Sequence, residues 1–354
     1  MRDQILVINP GSTSTKIALY DEQGQLWDQN IGHSLEELSH YDTILDQLPM
    51  RTALVRDCLT RKGSSPAQLK AIVSRGGPFA RVHSGAYVIN EAMLEKIRTD
   101  PVDQHASNLG AGIAWAIARE EDIPAYIYDA VTVDEMLPVT RITGLQEMDR
   151  HGQGHNLNMR AAALAVCKKR QIPYDSSNIL VAHLGGGITL SLHENGRIVD
   201  MISDDEGPFA PERAGGLPCF QLIELCYSGK YTKKEMFKHI QRAGGLISHF
   251  GTPDSRQIEA RIDAGDQQAR LVYEAMALAV AKNLAKLSVV VSGQIDCIVL
   301  TGGIAYSKYF TDLIRERVEF LAPVEIIPGE NEMQALYGGV MRVLRGEEAA
   351  RVYE

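Results

Sequence analysis

Residues 5–24 read ILVINPGSTSTKIALYDEQG, and residues 179–196 read ILVAHLGGGITLSLHENG. In each, the apolar run Ile-Leu-Val leads into a turn of small residues. An alternating segment follows, Lys16-Ile17-Ala18-Leu19-Tyr20 in the first and Thr189-Leu190-Ser191-Leu192-His193 in the second. A closing turn ends each copy, Asp21 to Gly24 and Glu194-Asn195-Gly196. Period-two alternation between turn signals predicts strands, so each copy is a β-hairpin entering a third strand. An internal repeat decides the architecture before any local detail, and this one predicts two similar domains.

Outward from the two hairpins, strand-like runs (Ala71-Ile72-Val73, Ala125-Tyr126-Ile127-Tyr128) alternate with amphipathic stretches (Asn108 to Arg119, Asn158 to Lys169). The expected class is α/β, with the two Gly-rich turns facing one cleft. A third glycine signal closes the apolar run Cys297 to Leu300, as Thr301-Gly302-Gly303-Ile304, and Ser307 is placed to cap a helix from Lys308 to about Arg317. The stripe Leu271, Met276, Ala279, Val280 and Leu284 predicts a core-facing helix, and Met333 to Arg345 predicts another. The expected domains are 1–135, joined by a C-terminal helix over 334–354, and 136–333.

The 354 residues carry 36 Lys+Arg against 45 Asp+Glu, a net charge of −9, without a basic stripe interleaved with aromatics. Nucleic acid is therefore not expected as a partner; small molecules are. The most apolar helical stretch, Leu271 to Val291, is interrupted by Lys282 and Lys286, which argues against a membrane span. The five cysteines form neither a metal-binding pair nor a disulfide framework and read as reduced structural thiols. With a strand-like start and no leader pattern, the expected location is the cytoplasm.

Small residues in a turn let backbone N–H groups approach a ligand and form a concavity suited to phosphate. Gly11-Ser12-Thr13-Ser14 and Gly185-Gly186-Gly187 both qualify. The GxxxxGK[ST] spacing of a P-loop is absent, and so is a GxGxxG turn opening a helix. What remains is a duplicated actin, Hsp70 or sugar-kinase style of ATP site.

The run Asn9-Pro10-Gly11-Ser12-Thr13-Ser14-Thr15-Lys16 resembles the NxGSxSxK signature of the acetate and butyrate kinase family, where sugar kinases and Hsp70-like ATPases begin with Asp. Further likenesses follow in the family's order: Arg75, Asp129, His151-Gly152-Gln153-Gly154-His155, His183-Leu184-Gly185-Gly186-Gly187, Arg213, Asp254-Ser255-Arg256, Gly302-Gly303-Ile304 and Asn331-Glu332. HGQGH and HLGGG stand where acetate kinases have HGTSH and HLGNG, departures that point to the butyrate branch. The resemblance implies two ribonuclease H-like domains with an interdomain ATP cleft, a Mg²⁺ requirement, and a homo-oligomer of two or more chains. The implied reaction is butanoate + ATP giving butanoyl phosphate + ADP. Alternatives are another short-chain acid or a non-catalytic nucleotide switch.

A carboxylic acid of pKa about 4.3 is already an anion at neutral pH, so it needs no general base. Its obstacle is repulsion from the triphosphate, which cations and a metal relieve. By resemblance, Arg75 and Arg213 hold the carboxylate and the transferring phosphoryl group, with His151 donating to the latter. Glu332 and Asp129 are the metal candidates. Asn9, Ser12, Ser14 and Lys16 line the phosphates from the first domain; His183, Gly185, Gly186 and Gly187 do so from the second. Asp254, Arg256, Gly302, Gly303 and Ile304 hold the adenosine. Plainer readings remain open at this point. Arg75 can lie where the family has His before Gly-Gly, Asp129 can close a strand, Glu332 can favour a helix start, and Arg213 can pair with Glu212 or Glu206. His151 and His155 have the spacing of a helical zinc pair, but two glycines between them disfavour a helix.

Overall fold

The computed structural model describes residues 2–354. Contacts within the chain separate two units: one runs to Asp134 and resumes at Asn331–Glu354, the other is Glu135–Glu330.

The first unit is built on β1 (Gln4–Pro10), β2 (Ser14–Asp21), β3 (Gly24–Gly32), β4 (Leu69–Arg75), β5 (Ala86–Val88), β6 (Ala125–Tyr128) and the late β12 (Arg351–Val352). They form one sheet in the order β12-β5-β6-β4-β1-β2-β3. The repeat's hairpin makes the antiparallel β1, β2 and β3, while β4 and β6 run parallel to β1. Helices Leu109–Glu121 and Glu332–Leu344 both pack on β1, β4 and β6. A Cβ on Gly110 would meet Ser74 Oγ at 2.0 Å, and one on Gly339 would meet the Tyr128 ring at 2.6 Å. Ser74 and Tyr128 point to opposite faces, because Tyr128 pairs with Arg75 in the ladder and neighbouring side chains alternate. Small residues thus bring one helix close against each face.

The second unit repeats the plan with β7 (Asn178–Leu184), β8 (Ile188–Glu194), β9 (Arg197–Ile202), β10 (Cys297–Gly302) and β11 (Val324–Pro328), in the order β11-β10-β7-β8-β9. Here β7, β8 and β9 form the hairpin meander, and β10 and β11 run parallel to β7. The closing turn at Asn195 and Gly196 has positive φ at both residues, as a tight hairpin requires. Ser307 caps the helix Lys308–Val318 by accepting from the Phe310 N–H.

The structure corrects three expectations. In the helix Gln267–Ser288, Met276, Val280 and Leu284 face the core, but Leu271 is 63% exposed and Ala279 only partly buried. Leu271 precedes Met276 by five residues, which places it off the buried stripe at 3.6 residues per turn. The C-terminal helix stops at Leu344, before Gly346 at φ +73°, and the tail becomes an edge strand on β5. Of the cysteines, Cys58, Cys167 and Cys297 are buried, but Cys219 and Cys226 are exposed. Among the described residues, no helix is long and apolar enough to cross a membrane.

Candidate active site

In the first unit three of the candidate residues lie at the carboxyl ends of the three parallel strands. Asn9 lies near the end of β1, Arg75 ends β4, and Asp129 follows β6. Asn9 Nδ2 donates to Glu332 Oε2, and Arg75 Nη1 lies 2.9 Å from Glu332 Oε1. Glu332 opens the helix that packs on this sheet, so residues 9, 75 and 332 converge although the chain separates them widely. Arg75 and Glu332 are each about one-fifth exposed (22%), and Arg75 Nε is buried with no acceptor among the described residues. The fork is therefore only half used.

Asp129 has φ +41° and is buried, its Oδ1 accepting from the Gly85 N–H at 2.7 Å. Lys16 stands opposite Asn9 in the β1–β2 register, and its Nζ is 3.7 Å from the Asp28 carboxylate. His105 caps a short turn, Nδ1 accepting from the Ser107 N–H. Burial, and then the nearby Arg75 cation, push its pKa below the usual histidine range.

The turn between β1 and β2 has all its carbonyls drawn inward. Those of Gly11, Ser12 and Ser14 accept from the Arg51 guanidinium, and that of Thr13 accepts from the His33 N–H. The Ser12 and Thr13 N–H groups, on exposed residues, take no acceptor within the described chain. Carbonyls inward and amides outward is the arrangement an anion needs.

In the second unit the carboxyl ends of β7, β10 and β11 open onto a cavity of about 810 Å³. Gly185, Gly186, Asp254, Arg256, Gly303 and Ile304 all line it, together with Glu212 and Glu330. Gly302 must be glycine: its φ is +91°, and a Cβ would meet Leu184 O at 2.5 Å. Asp254 caps the helix Ser255–Asp263, and its carboxylate takes the Arg256 guanidinium in a two-point pair. That pair holds the Asp254 pKa below the usual carboxylate range.

His183, at the end of β7, is buried and its ring stacks on His155 at 3.8 Å between centroids. Asn158 Nδ2 donates to His183 Nδ1, which leaves Nε2 carrying the proton. Nε2 lies 3.0 Å from Glu330 Oε1, off the hydrogen-bonding line.

Arg213 sits in the loop after β9, and Glu212 anchors that loop by donating its N–H to Gly186 O. A Cβ on Gly187 would come within 2.9 Å of Arg213 Nε, so the guanidinium lies directly over the glycine turn. The plainer reading, a pair with Glu212 or Glu206, is not the one found. Arg213 pairs with Asp204, while Glu206 is taken by Arg150 in a two-point contact. Arg213 Nε is buried without an acceptor among the described residues, and burial and then Arg242 lower its pKa. Arginine stays protonated all the same, so the site holds an underused cation. His151 is exposed in the loop before the helix Asn156–Arg170, with no helical turn joining it to His155.

The residues not singled out from the sequence are Arg51, Asn158 and Glu330. Each acts through partners far along the chain, and Arg51 in particular reads locally as one more arginine on an amphipathic helix.

The sequence profile of the acetokinase family matches residues 137–334. The chain is 44% identical over 351 residues to the "Probable butyrate kinase 2" of Caldanaerobacter subterraneus subsp. tengcongensis, covering 99% of both chains. Among solved structures, the acetate kinase of Porphyromonas gingivalis superposes with a TM-score of 0.81 at 17% identity, covering 97% of this chain and 100% of that one. A propionate kinase from Francisella tularensis subsp. tularensis gives 0.75 at 17% identity, covering 94% and 98%. The last two likenesses establish the fold.

Proposed function

The chain belongs to the acetokinase family, and from that premise we propose that it phosphorylates a short-chain carboxylate with ATP, butanoate being the preferred acceptor. The near full-length likeness to a probable butyrate kinase carries this reading. A carboxylate oxygen attacks the γ-phosphorus in line, the bond to the β,γ-bridging oxygen breaks, and ADP leaves. One negative charge on the acid and four on ATP become two on the acyl phosphate and three on ADP, so no proton is transferred and no base is needed.

Catalysis then consists of holding two anions together and neutralising charge on the phosphoryl group. In our reading, Arg75 and Arg213 do this with their guanidinium charge, the Nε of each having no acceptor among the described residues, and His151 donates to the transferring group. Asn9, Ser12, Ser14 and Lys16 act on the phosphates from the first unit, and His183 with Gly185 to Gly187 from the second. Asp254, Arg256, Gly302, Gly303 and Ile304 hold the adenosine. The domains are taken to follow the two contact units, residues up to 134 with 331–354, and 135–330.

Glu332 fits a Mg²⁺ role, because it is a hard oxygen donor at a partly open position and Mg²⁺ accepts one or two carboxylates when phosphate oxygens and waters complete its shell. Asp129 is the second candidate. The ion would supply charge neutralisation on the phosphates.

The test is hydroxamate trapping of acyl phosphate with MgATP across acetate, propionate, butyrate, isobutyrate and valerate. We expect a maximum at butyrate, with neighbours about tenfold or more lower, since one methylene in an apolar pocket is worth about 1–3 kcal/mol. A maximum at another acid would keep the reaction and replace the acceptor. No product with any acid would overturn the reading.

We also propose a homo-oligomer. The helix Cys219–Tyr227 is strongly apolar yet buries no residue, and Phe220 (85%) and Tyr227 (88%) are almost fully exposed. Apolar patches of this kind mark association surfaces. Phe220→Glu is expected to shift sedimentation toward a smaller species; a wild-type chain that sediments as a monomer sinks the idea. The reaction is placed in the cytoplasm, where ATP is produced, and activity found in another cell fraction would contradict this.

A further inference from the structure

Arg51, on the helix Leu48–Arg61, has 0% relative exposure. Its donors are all spent on neutral oxygens. Nε and Nη2 donate to Gln47 Oε1, Nη1 to Gly11 O, Ser14 O and Thr15 Oγ1, and Nη2 to Ser12 O. Among the described residues no carboxylate forms an ion pair with it. Glu37 acts on it only through its field, and its side chain is 40% exposed. His33, which bonds Thr15 Oγ1 beside it, is pushed by burial and by Arg51 toward its neutral form.

Geometry alone would be served by a neutral donor. A buried charge without a counter-ion is costly to fold around, and a network of carbonyls satisfies its hydrogen bonds without cancelling its field. That field reaches the turn whose Ser12 and Thr13 amides, on exposed residues, have no acceptor within the described chain. An anion on those amides therefore meets both the N–H dipoles and a full positive charge behind them.

We propose that Arg51 is the counter-charge of the glycine-turn anion site: it does not touch the ligand, but it raises affinity in proportion to the ligand's negative charge. The inference rests on the proposed role of this turn in holding the ATP phosphates. Arg51 is thus a positioning residue with an electrostatic duty, favouring a polyphosphate over a monophosphate at the same turn.

Gln47→Glu separates charge from geometry. It keeps an acceptor for Nε and Nη2 but sets a carboxylate on the guanidinium, cancelling the field while leaving the carbonyl network in place. Calorimetric titration with ATP, ADP and AMP should show ATP weakened on the order of tenfold, ADP less, and AMP within about twofold of wild type. Thermal unfolding should be unchanged or raised. Arg51→Lys, which keeps the charge and loses the fork, should retain the ATP-to-AMP affinity ratio even if both bind less tightly; this variant remains decisive should Gln47→Glu fail to fold. Equal losses for all three nucleotides, wild-type binding by Gln47→Glu, or a collapsed ratio in Arg51→Lys would make Arg51 purely structural. Wild-type protein that binds none of the three would instead overturn the phosphate reading of the turn.

Discussion

Arg213→Ala is expected to lower kcat for acyl phosphate formation by about 10³-fold, since removing one preorganised donor from a developing charge costs about 10²–10³ and an arginine at a transferring phosphoryl group is worth about 10³–10⁵. The loop should survive the substitution. Its backbone is held independently of the side chain, by Glu212 N–H to Gly186 O, by Ala214 N–H to Ile240 O and by Gly244 N–H to Glu212 O. What is lost is the guanidinium over Gly187, whose buried Nε has no partner among the described residues. Arg213→Lys should recover only part of the rate, because an ammonium replaces the charge but not the fork. Steady-state kinetics check this, with the unfolding temperature as control. Activity within about threefold of wild type in the alanine variant would remove Arg213 from the catalytic group.

The second large effect is expected at Glu332. Glu332→Gln is nearly isosteric, and the ion pair it breaks with Arg75 is partly exposed, so its cost in stability should be under about 1 kcal/mol. Its cost in rate should be far larger, about 10²-fold in kcat, with a rise in the Mg²⁺ concentration needed for half-maximal activity. Two causes would combine: a lost hard donor for the metal, and an Arg75 without its carboxylate partner on the helix Glu332–Leu344. Titrating Mg²⁺ at saturating ATP separates them. An unchanged Mg²⁺ dependence with a reduced rate would leave Glu332 as the anchor of Arg75 alone; an unchanged rate would remove it from the site.

Much of this molecule is written in short stretches of its sequence. The paired hairpins at 5–24 and 179–196, the strand entering Gly302 and the Ser307 cap depend on alternation, turn chemistry and capping, all of which act over a few residues. The glycine turns were visible for the same reason, since a turn that exposes its amides is built from local φ, ψ and small side chains. The candidate cations Arg75 and Arg213 were legible only through family likeness, and their partners were not legible at all. Arg213 faces Asp204 and Glu206 faces Arg150, because loop paths decide which charges meet.

Tertiary structure alone decided which residues stand behind the site. Asn9, Arg75 and Glu332 meet because parallel strands end side by side and a late helix returns to them. Arg51 lies 36–40 positions from the carbonyls and hydroxyl of the turn it holds, and on its own helix nothing distinguishes it from a solvated arginine. The exposed helix Cys219–Tyr227 reads locally as a core helix, and only the packed chain shows that nothing within the described residues covers it. Local sequence sets backbone geometry, because its energies act over one turn of chain. Burial and pairing are set by segments that touch only after folding, so the electrostatics of the site belong to the tertiary structure.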